Sequence, residues 1–281
     1  MKNFIFITLL ITNIFAFELS HKEVKNANLV LVTLELENIE KPRLSFGKNH
    51  YDFYINPFKN SSYYILLPIS YYEKPKKEKI IISYIKDGKK IFKTKKLDII
   101  DGNYKSEVLK VNPSKIDLSP EDKIRVEEEF KEAKDIYRKK HPNLLFKDDF
   151  ILPLDSKITS DFGNSRVFNG SLKSYHSGTD FRAANGTEII ASNSGIVRVT
   201  KDRFYGGNTL IIDHGHGIFS GYFHLSSFKV KELDYVKKGQ VIALSGSTGR
   251  VTGPHLHFIF RINDILVDPL QAIDILNSLK N

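Results

Sequence analysis

Apolar residues recur along this chain at two different spacings, and the spacing changes twice. Between about residues 21 and 111, short runs of strand-forming residues (29–36, 51–55 and 63–69) alternate with turn-prone pieces such as Asn56-Pro57 and Asn60-Ser61-Ser62. The sharpest local expectation is a hairpin with arms at 79–86 and 89–93, joined by Asp87-Gly88, because both central positions of a two-residue turn need positive φ. Several short strands so spaced predict a small sandwich or barrel. The period then lengthens. Ser119-Pro120-Glu121-Asp122 supplies an N-cap, a first-turn proline and early acids, after which Val126, Phe130, Ala133 and Tyr137 fall at helical spacing. One apolar stripe on a heavily charged helix predicts an element packed across two domains, ending near His141-Pro142. From Phe150 onward Gly, His, Ser and Thr dominate, and strands are expected at 188–191, 195–200, 208–213, 217–224, 240–245 and 255–262, between glycine-rich turns.

The beginning departs from both patterns. Met1-Lys2-Asn3 precedes an apolar segment over 4–17, broken only by Thr8, Thr12 and Asn13, with a small residue at Ala16. This reads as a secretory signal peptide, since the run is shorter than the ~20 residues a spanning helix needs. The expected organisation is therefore mainly β: a signal peptide at 1–16, a small N-terminal β domain over 17–112, and a helical connector over 113–149. An antiparallel β-sheet domain closing on a helix follows over 150–281. No stable membrane anchor is expected after cleavage, and the protein is read as exported.

Composition narrows the chemistry. The chain has no cysteine, which excludes disulfide staples and thiolate metal sites, so any metal must be held by His, Asp and Glu. It carries 42 basic against 33 acidic side chains, and loss of residues 1–16 would remove only Lys2 from that balance. Such a surplus favours an anionic partner, and export makes cell-wall polymer a better candidate than nucleic acid. The lysines at 74–79 and 89–96 read as solvated edge and hairpin charges.

Six of the nine histidines lie between 176 and 257. In Gly253-Pro254-His255-Leu256-His257-Phe258, an extended backbone would put His255 and His257 on one face and Leu256, Phe258 and Phe260 on the other. Tyr175-His176-Ser177-Gly178-Thr179-Asp180 is poor helix material and is expected to be extended or looped; if extended, it would likewise align His176 with Asp180. Three N/O ligands from two strands, with one position open, suit a catalytic zinc site better than a closed structural one; other divalent ions stay open. Spacing does not say which of His255 and His257 is the third ligand. His224, in Tyr222-Phe223-His224-Leu225, brings the groups to five, enough for three ligands, a base and an oxyanion stabiliser.

His176-x-x-x-Asp180, Tyr222-Phe223-His224-Leu225 and 249–258, in that order, resemble the lysostaphin-type, or M23, zinc metallopeptidases that cut peptidoglycan peptides. The resemblance runs over about residues 150–270 and takes in Asp161-Phe162-Gly163-Asn164-Ser165-Arg166 and Val236-Lys237-Lys238-Gly239-Gln240. It implies that His176, Asp180 and His257 bind zinc, with His224 and His255 as base and oxyanion stabiliser. It also implies an enzyme, a peptidoglycan hydrolase acting on stem-peptide or cross-link amides as endopeptidase or carboxypeptidase. Ile259 stands where the family often has Glu, and Val251 where a small hydroxyl residue is usual. The N-terminal extension resembles those of M23 peptidases that set shape in curved or helical Gram-negative bacteria, so contact between it and the catalytic groove is expected. The rival readings are a non-catalytic wall-binding or activator module that keeps a structural metal, and a zinc peptidase acting on proteins. Arg166 reads equally as a partner for a substrate carboxylate or as a structural ion pair, Tyr222 as cross-strand packing, and His214 and His216 as a glycine-spaced turn. His21, His50 and His141 read as surface residues.

Overall fold

The computed structural model describes residues 17–110, 114, 116–170 and 172–280, so the expected signal peptide lies outside the described residues. The described chain is mainly β. No helix among the described residues is long and apolar enough to cross a membrane.

The N-terminal half is a sandwich. One sheet runs in the order Phe17–Leu19, Leu29–Glu35, Ser62–Pro68 and Tyr54–Ile55; the other runs Glu23–Lys25, Lys89–Ile100, Lys76–Lys86, Glu40–Phe46 and Asn49–Asp52. Successive side chains of a strand point to opposite faces. Val30, Val32 and Leu34, with Ile65 and Leu67, therefore meet Leu44, Ile80, Ile82 and Leu97 between the sheets. Leu29 and Leu31, with Tyr64 and Leu66, point the other way, into the core of the C-terminal half. A strand covered on both faces needs a continuous apolar run rather than alternation, and residues 29–32 supply it. The Lys76–Lys86/Lys89–Ile100 hairpin turns at Asp87 and Gly88 with φ of 50° and 71°, as the Asp-Gly pair predicts.

Helix α1 (Pro120–Arg138) starts where its caps predict: the Ser119 hydroxyl accepts the Asp122 N–H at 3.1 Å and Pro120 opens the first turn. Its packing differs from expectation. The helix lies along one strand of the C-terminal sheet, Gly195–Arg203, through Arg125–Asp202, Lys201–Glu132 and Arg203–Glu132, and it buries Tyr137 against Phe219, Val199 and Ile211. Phe130 and Val126 line a groove instead, which is why the stripe looked wide enough for two partners.

A ten-stranded antiparallel sheet forms the C-terminal half. Its main path is Ile158–Ser160, Thr179–Arg182, His255–Ile262, Ile218–Phe228, Gly207–Gly215, Gly195–Arg203 and Tyr235–Val236. Helix α2 (Pro269–Asn277) seals the junction between the halves: the Gln271 side chain accepts the Leu29 N–H at 2.9 Å and donates to the Leu29 carbonyl at 2.8 Å, while Ala272 and Leu276 join Leu29 and Leu31 in one core. Each such fully buried apolar side chain is worth about 1.5–3 kcal/mol, so the N-terminal sandwich contributes to the stability of the C-terminal half.

A second junction matters more for the site. After leaving the sandwich, the chain forms Ser106–Leu109, which pairs in parallel with Ser165–Phe168, itself antiparallel to Leu172–Tyr175. Glu107 stands opposite Arg166 in that register.

Candidate active site

The site is built where Thr179–Arg182 pairs with His255–Ile262. Asp180 and His257 are directly opposed in the ladder, which places their side chains side by side on one face. The other face of the same strand carries Leu256, Phe258 and Phe260, all without solvent exposure. His176 arrives by the looped alternative. It follows the strand Leu172–Tyr175, and the chain bends at Ser177-Gly178 before entering the next strand, so His176 and Asp180 do not share one extended segment. The bend still delivers His176 to Asp180, because the His176 N–H is tied to the Asn164 carbonyl at 2.8 Å.

Three atoms close a small triangle. His176 Nε2 is 2.9 Å from Asp180 Oδ1 and 3.0 Å from His257 Nδ1, and His257 Nδ1 is 2.8 Å from Asp180 Oδ1. His176 donates its Nδ1–H to the Asp161 carbonyl at 2.7 Å, so the Nε2 lone pair faces the Asp180 oxygen. Two acceptors at that separation repel unless a cation or proton lies between them, and an N, N, O donor set is what a divalent metal with imidazole and carboxylate ligands takes. These three groups could hold a metal ion. Burial alone would raise the Asp180 carboxyl, but the adjoining imidazoles of His176 and His257 outweigh it and hold the group well below the ordinary carboxylate range. Burial pushes His257 down to about 4, so its ring is neutral and free to ligate at pH 7.

Two further imidazoles face the same gap. The His224 Nδ1–H is anchored on the Thr248 carbonyl at 2.8 Å, and the His255 Nδ1–H on the Gly253 carbonyl at 2.8 Å, leaving both Nε2 atoms directed inward. His255 Nε2 lies 3.6 Å from Asp180 Oδ1. The His224 ring sits 4.9 Å from that of His255 and 5.8 Å from that of His257. His224 adopts φ of 61°, a left-handed conformation that costs a non-glycine residue free energy, and its N–H turns out of the ladder to the Gly206 carbonyl at 2.9 Å. Burial, followed by the neighbouring His257 and His255, keeps His224 well below the ordinary histidine range, so at neutral pH it is an unprotonated base. The fold thus brings the five residues singled out from the sequence around one gap.

Arg166 resolves toward its structural reading. It donates to Asp180 Oδ2 at 3.0 Å and, through Nε, to Glu107 at 3.1 Å. Glu107 also accepts Asn164 at 2.7 Å and Ser160 at 2.9 Å; burial opposes its ionisation, but these bonds outweigh burial and hold it below the ordinary range. Sequence reasoning missed Glu107. It lies ahead of α1 in Ser106–Leu109, where its only signal was a short run of strand formers with no visible partner. His214 and His216 do not form a metal pair: His214 lies within the strand Gly207–Gly215, bound to the Ser194 carbonyl and Ser220 hydroxyl at 2.8 Å each, while His216 turns to meet the Tyr64 hydroxyl at 2.6 Å and stack on Tyr54. Tyr222 is buried, and its oxygen accepts the Ser192 N–H at 2.9 Å.

The gap opens into a groove of about 890 Å³, walled by the sheet on one side and by Val126 and Phe130 of α1 on another, with Tyr72 of the N-terminal half at its rim. Residues 174–269, which contain all five site residues, match Peptidase family M23. The chain carries an M23 peptidase segment. The chain is 41% identical over 123 residues to the peptidoglycan DD-endopeptidase ShyA of Vibrio cholerae, a match covering 43% of the chain and 29% of that relative. It is 42% identical over 97 residues to the DD-carboxypeptidase/endopeptidase Mpg of Neisseria meningitidis, over 34% of the chain and 22% of that relative. The chain thus spans less than a third of the length of these curated relatives. A solved structure from Pseudomonas aeruginosa, assigned to peptidase M23, superposes with a TM-score of 0.65 at 27% identity, covering 87% of this chain and 93% of that one. That likeness extends beyond the M23 segment and takes in much of the N-terminal half.

Proposed function

We propose that this protein is an exported, periplasmic zinc-dependent peptidoglycan hydrolase that cuts stem-peptide or cross-link amides. The observation that carries the reading is the triangle of His176, Asp180 and His257, with two more imidazoles aimed at the same gap. Those three residues would hold the metal. Zinc, when bound, supplies Lewis acidity and brings the pKa of a coordinated water near 7. The protein supplies the rest. His224, neutral and fixed by Thr248, offers its Nε2 lone pair to take a proton from the attacking water. His255, fixed by Gly253, turns its Nε2 edge to the gap and would steady the oxygen gaining charge. Wall peptide as substrate is supported by the activities named for ShyA and Mpg and by the basic surplus of the chain. Tyr72 and Leu109, both on the groove wall, support the reading that the N-terminal half narrows access to the site.

Purified full-length protein incubated with sacculi should convert cross-linked muropeptides to uncross-linked or shortened ones, resolved by chromatography. A chelator should stop the conversion and added Zn²⁺ should restore it. An unchanged muropeptide profile from zinc-loaded protein overturns the proposal.

Glu107 adds a second expectation. Without it, Arg166 loses the carboxylate that balances it and presents its whole charge to Asp180, where it competes with a divalent cation. Glu107→Ala should weaken zinc binding about 10–100-fold in a chelator-competition titration, as loss of groups that orient ligands commonly does. Glu107→Gln, which keeps part of the hydrogen bonding, should fall between. Unchanged affinity in both would show that the parallel strand only packs.

A further inference from the structure

Four arginines line the groove: Arg166, Arg203, Arg250 and Arg261. Three have carboxylate partners, since Arg166 pairs with Glu107 and Asp180, Arg203 with Glu132, and Arg261 with Asp264. Arg250 is different. Among the described residues no carboxylate lies within ion-pair reach of its guanidinium, which instead packs over Phe168 at 4.5 Å and Tyr205 at 4.3 Å. Its surroundings do not favour a lone cation: burial, together with the nearby charge of Arg166, lowers its pKa from the ordinary arginine value. A partly dehydrated guanidinium held rigidly without a counter-ion is an anion site in waiting, and its planar fork fits a carboxylate through two parallel hydrogen bonds.

The backbone also ties Arg250 to the chemistry. Its N–H bonds the Tyr205 carbonyl at 2.9 Å, and its loop provides the carbonyls of Thr248 and Gly253 that orient His224 and His255. The neighbouring Gly249, at φ of 81°, comes so close to the other side of the groove that a Cβ there would lie 2.4 Å from the Gly207 nitrogen and 2.5 Å from the Tyr205 oxygen. The loop is pinned, and the guanidinium with it.

We infer that Arg250 binds a carboxylate on the leaving side of the scissile amide, so that a free α-carboxylate is part of what the site recognises. This rests on the peptidase reading above and says which amides it applies to. In a terminal D-alanine and in a cross-link through an amino acid with a free α-carboxyl, the carbon attached to the amide nitrogen carries such a group. Both substrates would therefore meet Arg250 in the same way. Arg166 is not available for this role, because its fork is spent on Glu107 and Asp180.

The test compares two synthetic stem peptides that differ only in whether the leaving residue ends in a carboxylate or a carboxamide, using full-length zinc-loaded protein. Wild type should favour the carboxylate peptide by about 100-fold in kcat/KM, the scale of a lost hydrogen-bonded charge pair. Arg250→Gln should lose that preference, mainly through a higher KM on the carboxylate peptide, with the carboxamide peptide nearly unaffected. Arg250→Lys, which keeps the charge without the fork, should retain part of the preference and serves as the readout if the glutamine variant fails to fold. Equal cleavage of both peptides by wild type, or an equal loss on both in Arg250→Lys, overturns the inference while leaving the hydrolase intact. If wild type cuts neither peptide nor sacculi, the hydrolase reading falls and the inference falls with it.

Discussion

Asp180→Ala should leave the protein without its metal and at least about 10³-fold less active, whereas His224→Ala should keep the metal and lose about 10²–10⁴-fold in turnover. The contrast follows from what each side chain touches. Asp180 is the anionic member of the triangle, 2.9 Å from His176 Nε2 and 2.8 Å from His257 Nδ1, and it is also the group that turns Arg166 away from the gap. Removing it deletes a ligand and leaves a guanidinium beside a site meant for a cation. His224 is bonded to the Thr248 carbonyl and to none of the three ligand atoms, so its loss removes a proton acceptor and leaves the triangle intact. Metal content by elemental analysis and muropeptide release on the same samples separate the two variants. Metal-free His224→Ala, or Asp180→Ala with a full complement of zinc, would reverse the assignment of ligand and base.

Legibility from sequence followed the range of the interaction. The His255-x-His257 pair could be read because alternation along a strand is a property of two adjacent peptide units. The ends of α1 could be read because Ser119 and Pro120 act within one turn. What those elements pack against was not readable in the same way. Val126 and Phe130 lie on the stripe expected to pack across two domains, yet they face a groove, because nothing in a helix's own sequence says whether the surface opposite is filled. Residues 29–36 read as a strand, but only the fold shows that 29–32 are covered on both faces, the second of them by Ala272 and Leu276. Glu107 is the extreme case. Its role depends on a parallel pairing with Arg166 across most of the connector, and a lone Glu in a short strand carries no trace of that partner. For His176 and Asp180 the residues left an extended and a looped segment open, and the bend at Ser177-Gly178 is what brings the two together.

That bend makes Gly178→Ala a damaging change although it adds only one methyl group. A Cβ at Gly178 would sit 2.3 Å from the Phe258 carbonyl oxygen and 2.8 Å from both His257 Cε1 and Ile259 Cγ2. The first of these cannot yield cheaply, because Phe258 lies in the middle of His255–Ile262, which is paired on both sides, with Thr179–Arg182 and with Ile218–Phe228. The strand that follows Gly178 must move instead. Thr179 is the ladder partner of Phe258 and Asp180 of His257, so any displacement that relieves the methyl opens the Asp180–His257 edge of the triangle. Overpacking of this kind costs about 1–3 kcal/mol, enough to lower Tm by several degrees in a domain of this size. The functional loss should exceed the loss of stability: zinc affinity should fall by about 100-fold or more, because a metal site tolerates only tenths of an ångström in ligand position. Gly253→Ala is the matched control. A Cβ there meets nothing within 4 Å although the residue lies two positions from His255, so its Tm and zinc affinity should stay near those of the wild type. Similar behaviour of the two alanine variants in calorimetry and zinc competition would mean that the approach of Gly178 to the central strand does not hold the ligands in place.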